Sequence, residues 1–256
     1  MLLSAYKLEK FSQEFEHKTP QEIIEWAAER YAPYLAMSSS FQTQSMPLLH
    51  MISQIAPDTP IFFINTGYHF WETLMFRERI GEEWGLNIVD VYRDSRWDVF
   101  VRENLRALPA QDPNLCCFLH KVQPMQKALN GYKAWVTGIR RDQTAVRAQA
   151  KILEMQEDGL LKINPMLNWT KKDAQTYIDL HGLPKHPLYE KGYRSIGCAP
   201  CTIAIGVNDD ERAGRWAGKG KVECGLHTDM FNKKDLAAAN LEIRLDLPKN
   251  QKPADS

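Results

Sequence analysis

Four short runs of apolar, β-branched and aromatic residues punctuate the first 140 residues: YLAM (34–37), PIFFIN (60–65), LNIVDVY (86–92) and KAWVTG (133–138). Between them lie stretches with apolar residues at helical spacing, notably 44–55 and 70–84, and another over 21–31 is opened by Thr19-Pro20. Parallel strands cannot be joined by a tight turn and need a long crossover, usually a helix. The alternation therefore predicts an α/β fold, a Rossmann-like doubly wound parallel sheet with helices on both faces. The length of 256 residues allows one large domain or two small ones. We read a single domain over 1–235 and a tail over 236–256, whose end, LPKNQKPADS, has the composition of a frayed terminus.

Ligands of such sheets bind beyond the carboxyl ends of the strands. Three turns follow candidate strands there: MSSSFQTQS, NTGYHF and TGIRRDQ. The hydroxyls and N–H groups of the first can hold an anion at a helix start, although Ser/Thr runs serve equally as plain caps. Glycine in the other two suits close backbone approach to a base or ribose. Past residue 164 the texture changes. WTKKDAQTYIDLHG (169–182) predicts a helix capped by Thr170 and stopped at Gly182. LPKHPLYEKGYRSIGCAPC and GVNDDERAGRWAGKGKVECGLH are then rich in Gly, Pro and Arg without periodicity, an irregular C-terminal segment of the kind that carries function.

That segment holds three of the five cysteines. Cys116-Cys117 and, eighty residues later, Cys198-Ala-Pro-Cys201 form two close pairs, and Cys224 stands alone. Lys plus Arg equals Asp plus Glu, 32 against 32, so no global field draws nucleic acid or an anionic membrane. No apolar run reaches the roughly 18 residues of a membrane span. The first residues lack the apolar core of a signal peptide, and the chain reads as cytoplasmic. In that compartment paired cysteines point to a metal or redox centre rather than to disulfides. Zinc favours pairs two to four residues apart that wrap one tetrahedral ion. Adjacent cysteines diverge, and an iron–sulfur cluster offers them separate irons; a 4Fe–4S cluster is the favoured reading and zinc the other. Lys121, just after the first pair, is either a cation beside that centre or a solvated lysine.

Five arginines fall in two short stretches: Arg140, Arg141 and Arg147 in RRDQTAVR, Arg212 and Arg215 in ERAGRW. They suit a polyanionic small ligand such as a nucleotide phosphate or sulfate. They suit equally ion pairing with Asp142, Asp209, Asp210 and Glu211. Arg212 and Arg215 share a face if their stretch is helical.

The motifs CCFLHKVQPM, WVTGIRRDQ, INPMLNWT, GYRSIGCAPCT, RAGRW and ECGLH, in this order, resemble the assimilatory adenylylsulfate (APS) and phosphoadenylylsulfate (PAPS) reductases, and within them the iron–sulfur APS reductase branch. The resemblance implies an adenine-nucleotide α-hydrolase-like fold, a 4Fe–4S cluster and reduction of APS to sulfite and AMP. It implies that Cys116, Cys117, Cys198 and Cys201 are cluster ligands and that Cys224 is the nucleophile. Lys121 would lie between cluster and sulfate, and Arg147, Arg212, Arg215 and His227 would contact the phosphosulfate. Ser38, Ser39 and Ser40 match the phosphate-side turn, and Ile64 and Gly138 match positions lining adenine and ribose. SSSFQTQS departs from the glycine-bearing turn of many relatives. With no thioredoxin-like domain after Cys224, an external thioredoxin or glutaredoxin is the expected reductant. Gly218 and Gly220 mark 210–230 as a mobile catalytic segment, and a homo-oligomer is left open. The alternatives are a PAPS-preferring or dual-specificity reductase, an RNA sulfurtransferase and a non-catalytic iron–sulfur binding protein.

Overall fold

The computed structural model describes residues 5–104 and 107–228; the tail over 236–256 lies outside them. Its centre is a six-stranded sheet: β1 (Leu35–Ser38), β2 (Ile61–Ile64), β3 (Ile88–Val91), β4 (Ala134–Val136), β5 (Leu153–Met155) and β6 (Leu161–Ile163). The spatial order is β3-β2-β1-β4-β6-β5. Every pairing is parallel except that of β5 with β6, an antiparallel edge hairpin. The four strands read from sequence are all present, and this antiparallel edge is what the reading of a purely parallel sheet lacked.

Alternation along the strands assigns the two faces. Leu35, Met37, Ile61, Phe63, Ala134 and Val136 pack on one core with α2 (Pro20–Tyr31), α3 (Met46–Ile55), α4 (Trp71–Trp84) and the 171–180 helix. Ala36, Phe62 and Trp135, the residues between them, pack on a second core with Trp97, Val101, Leu119 and Met125. The pair-bearing Cys116 belongs to this second core. Helices therefore cover both faces, as the alternation predicts.

Local signals set the helix boundaries. At the start of α2, Thr19 Oγ1 accepts from the Glu22 N–H at 3.3 Å while the Glu22 carboxylate accepts from the Thr19 N–H at 2.7 Å, with Pro20 in the first turn. The Lys171–Leu180 helix begins with the same reciprocal arrangement between Thr170 and Asp173. Past it the chain reaches Gly182 at φ +59°, where a side chain would be strained. From there to 228 only one short helical turn, Ala199–Cys201, interrupts irregular backbone. The ERAGRW stretch is a series of turns and not a helix. Arg212 and Arg215 thus do not converge by helical spacing. An antiparallel bridge between Thr202 and Arg215 orders the segment instead.

Candidate active site

From β1 the chain runs to β2 and β3 on one side, and β4 begins the other half of the sheet on the opposite side. The strand order reverses between β1 and β4, which is where α/β sheets open a crevice. A cavity of about 1000 Å³, counting its open mouth, lies there. Ser38 closing β1, Ser39 and Ser40 after it, Ile64 closing β2 and Gly138 after β4 line it. Arg212, Arg215, Trp216, Cys224 and His227 line it from the irregular segment, and Lys121 and Arg147 complete its cationic side. Each substrate-contact position drawn from the resemblance thus reaches one cavity.

The serines are partly committed. Ser38 Oγ accepts from Trp135 Nε1 at 2.9 Å, and Ser39 Oγ accepts from the Phe41 N–H at 3.1 Å. Phe41, at φ +51° and fully buried, takes the left-handed turn that glycine would make without strain.

The five arginines separate by partner. Arg140 is buried beside Asp142 (3.0 Å) and Glu211 (3.6 Å), and Arg141 pairs with Glu16 (2.8 Å); neither lines the cavity. For these two the ion-pairing reading holds. Arg147 and Arg212 line the cavity and share one carboxylate, Glu223, at 2.7 and 3.6 Å. Arg215 also lines it, and no carboxylate among the described residues pairs with it; its Nε is buried without a hydrogen-bond partner there. Burial and then Arg147 bring the Arg212 guanidinium down to about 10, still charged at neutral pH.

A second, small cavity adjoins the first, with little of it open to a water molecule. Cys116, Cys117, Cys198 and Cys201 all line it, with Lys121 and Trp216 shared between the two cavities. Asp112 caps the short helix Pro113–Cys117, accepting from the Leu115 N–H at 2.9 Å. Successive helical residues point about 100° apart. Cys116 accordingly faces the sheet core and Cys117 packs with Cys198, Cys201 and Trp216. A π turn, Phe118–Val122, follows and carries Lys121; such turns recur at functional sites. The Cys198 turn is held by Thr66 Oγ1, 3.4 Å from Cys198 Sγ, and by the Ala199 N–H, which donates to Tyr68 O at 2.7 Å. Lys219 Nζ donates to the carbonyls of Pro109 and Pro200, each at 3.0 Å, bridging the two cysteine-bearing stretches.

Burial, then the neighbouring cysteines, pushes the Cys116 thiol up to about 12; burial pushes Cys117 up to about 11 against the pull of Lys121. Two thiols raised in this way ionise only with compensating cations at hand. Burial alone would lower the Lys121 pKa, but Cys198, Cys117 and Cys224 raise it above its ordinary value. Lys121 is therefore a held cation and not a solvated one. All five cysteines are free, and among the described residues no group of three or more His, Cys, Asp or Glu side chains is arranged to hold a metal ion.

Cys224 sits at the junction, lining the larger cavity and packing against Cys117, Cys198, Cys201 and Trp216. His227 stacks on Trp135 with ring centroids 5.8 Å apart and planes 14° apart. Its Nδ1 is buried with no partner among the described residues. Burial, with Lys162, Arg147 and Arg212 adding to it, drives its pKa well below 6.5, so the imidazole is neutral. Glu223 is the group that sequence reasoning left without a role. Its only signal there was an acid set beside a cysteine in an arginine-rich segment. Trp216, standing inside RAGRW, and Gln143 and His69, in the glycine-bearing turns, also line the cavity.

The phosphoadenosine phosphosulfate reductase domain model matches residues 34–204. The chain is similar to the adenosine 5′-phosphosulfate reductase of Rhodococcus opacus, 39% identical over 225 residues that span 83% of this chain and 90% of that protein. It is similar to that of Streptomyces coelicolor (39%; 86% and 92%) and that of Bacillus cereus strain B4264 (37%; 85% and 94%). Among solved structures, the phosphoadenylyl-sulfate reductase of Candida auris in its phosphate complex superposes with a TM-score of 0.70 at 26% identity, covering 79% of this chain and 99% of that one. Candida glabrata FMN adenylyltransferase, with a TM-score of 0.55 at 16% identity over 82% and 73%, shares the fold alone. No described helix is long and apolar enough to cross a membrane.

Proposed function

The chain belongs to the phosphoadenosine phosphosulfate reductase domain family, and we propose that it reduces adenosine 5′-phosphosulfate through a covalent sulfonate on Cys224. It is an oxidoreductase that acts on the sulfur group of that nucleotide, in assimilatory sulfate reduction. One observation carries the assignment of the nucleophile. Of the five cysteines, Cys224 is the one that lines the larger cavity, together with Lys121 and Arg215, which have no carboxylate partner among the described residues.

A thiolate is the competent attacker of an electrophilic sulfur. Cys224 Sγ bonds to the sulfuryl sulfur, the S–O bond to the phosphate breaks, and AMP leaves with the electron pair. Lys121 and Arg215 stabilise the charge of the transferring group, and the neutral His227 is placed to hydrogen-bond its oxygens. A thiolate of thioredoxin or glutaredoxin then attacks Cys224 Sγ and sulfite departs, its sulfur reduced by two electrons. The second thiol of the reductant resolves the mixed disulfide. With the other four cysteines assigned to the second cavity, the reducing thiol comes from an external protein. Arg147 and Arg212 share Glu223, which leaves no further cation on the described wall for a 3′-phosphate and favours APS over PAPS. Chemistry that runs on reduced thiols suits the cytoplasm.

The residues around the second cavity fit a 4Fe–4S cluster. Four thiols lining one small cavity, two of them adjacent in the chain, suit separate irons better than one tetrahedral ion. Cys116, Cys117, Cys198 and Cys201 would hold it, and its irons would keep those sulfurs ionised as thiolates beside Lys121.

The test is incubation of the anaerobic holoenzyme with APS and no reductant, followed by intact mass and peptide mapping. Wild type gains a sulfonate on Cys224. C224S gains none, releases no sulfite on adding thioredoxin, and keeps the visible absorbance of the cluster. Sulfite release by C224S, or a sulfonate on Cys116, overturns the scheme.

A further inference from the structure

Glu223, immediately before the nucleophile, is buried, and both of its carboxylate oxygens are used. Oε1 accepts from the Thr144 hydroxyl at 2.9 Å and from Arg147 Nε at 2.7 Å. Oε2 accepts from Arg147 Nη2 at 2.8 Å, and Arg212 Nη2 stands 3.6 Å from it. The third nitrogen of Arg147 donates to Gln143 Oε1. Every donor nitrogen of this guanidinium is thereby engaged within the protein.

The hydrogen-bond donors to Glu223 belong to the sheet half of the fold. Gln143, Thr144 and Arg147 lie on the turn and short helix Ala145–Ala148 that follow β4, and Thr144 caps that helix by accepting from the Arg147 N–H at 3.2 Å. Glu223 belongs to the irregular segment. The two-pronged contact is thus a tie between the sheet and the segment that carries Cys224, and bidentate pairs fix orientation as well as distance. Within the segment itself, Arg212 Nη2 donates to the Val222 carbonyl at 2.8 Å. Upstream, Gly218 and Gly220 sit at φ +72° and +59°, turns open to rotation if the segment is released. Burial alone would raise the Glu223 pKa; the Arg147 hydrogen bonds and charge, with Arg212 and Thr144, outweigh it and hold the carboxyl below its ordinary value.

We propose that Glu223 is a positioning residue that docks the Cys224 segment on the end of β4, and that Arg147 serves as its anchor and not as a free ligand for the substrate's anions. The inference rests on the reading of Cys224 as nucleophile. It differs from a picture in which Glu223 merely occupies the arginines until a substrate anion displaces it. Docking requires the carboxylate during sulfur transfer, whereas displacement requires it gone.

The experiment uses the anaerobic holoenzymes of wild type, E223Q and E223D. It measures the single-turnover rate of sulfonate formation on Cys224 at saturating APS, AMP affinity by calorimetry, melting temperature and cluster absorbance. E223Q keeps the shape of the side chain and loses the charge-assisted fork. Its sulfonation is expected to slow by about 100-fold, the scale of a roughly 1 Å misplacement of a reacting group, with AMP affinity not weakened and cluster absorbance unchanged. E223D, which keeps the charge, is expected to regain part of the rate. Sulfonation by E223Q at the wild-type rate overturns the inference, as does a faster rate with tighter AMP binding, which marks a displaced anion. If E223Q fails to give a native melting transition, E223D decides: a slowed rate at unshifted melting temperature supports docking, and the wild-type rate overturns it. A wild type that forms no sulfonate on Cys224 overturns the nucleophile reading and this inference with it. A wild type that forms it at the same rate as E223Q removes the positioning role alone.

Discussion

Gly197 offers a way to displace Arg215 without touching its charge. It lines the cavity directly before Cys198, and its φ is not in the left-handed region, so alanine is acceptable to the backbone. Space is not. A Cβ there would lie 2.3 Å from Arg215 Nη2, 2.6 Å from Cζ and 3.1 Å from Nη1. Against an ordinary contact of about 3.4 Å the shortfall at Nη2 is about 1.1 Å. The guanidinium already lies over the Trp216 ring, with Cζ 4.4 Å from its centroid, so it must slide. A displacement on the order of 1 Å in a group that stabilises the transferring sulfuryl costs about 100-fold in rate, or about 2.7 kcal/mol. If the 196–198 turn yields instead, the cost of roughly 1–3 kcal/mol appears as lost stability. The assay is single-turnover sulfonation of Cys224 by G197A at saturating APS, beside its melting temperature and iron content. The expected result is slowed sulfonation with iron retained. A wild-type rate at an unchanged melting temperature refutes the placement of Arg215 or its part in the reaction.

His186 supplies a pH signature away from the site. Leu188 N–H donates to its Nδ1 at 3.2 Å, which leaves Nε2 as the donor toward Thr73 Oγ1 at 3.0 Å. The ring is buried and neutral, and burial, against a small opposing pull from Glu72, lowers its pKa to about 4. Between pH 6.5 and about 4 the unfolded chain therefore takes up a proton that the folded chain refuses, and folding loses up to about 1.4 kcal/mol per pH unit. The stability advantage of wild type over H186Q should narrow as pH falls from 7.5 to 5; a constant gap contradicts the neutral assignment. For the second cavity, C198S should lose iron and acid-labile sulfide while C224S retains both. Retention of one zinc per chain without sulfide in the wild type refutes the cluster reading.

The runs at 34–37, 60–65 and 133–138 were legible as strands because strands inside a parallel sheet are buried on both faces and so nearly all apolar, and 86–92, an edge strand carrying Asp90 and the exposed Val89, was legible from its β-branched residues between helical stretches. The hairpin of β5 and β6 was not legible. Each strand has three residues, too few for a period to show, and Lys162, in the middle of β6, is buried only because Glu154 on β5 pairs with it at 2.7 Å. Thr19 and Thr170 announced their helices because a cap needs only a partner three residues away. The ERAGRW stretch misled for the converse reason: two arginines three apart suit a helix face, but a bridge from Thr202 and turns among glycines set their positions.

The sequence by itself determined the chemistry on offer: paired thiols, a lone thiol and a surplus of guanidinium groups near them. Residue type carries that information, since few side chains can bind iron or attack sulfur. Only the tertiary structure decided which arginine does what. Arg140 and Arg141 closed on Asp142, Glu211 and Glu16, Arg147 closed on Glu223, and Arg215 was left facing the cavity. A guanidinium is the same group in every one of these places. Its role depends on whether a carboxylate lies within about 4 Å, and the residues that supply those carboxylates are as many as 125 positions away in the chain.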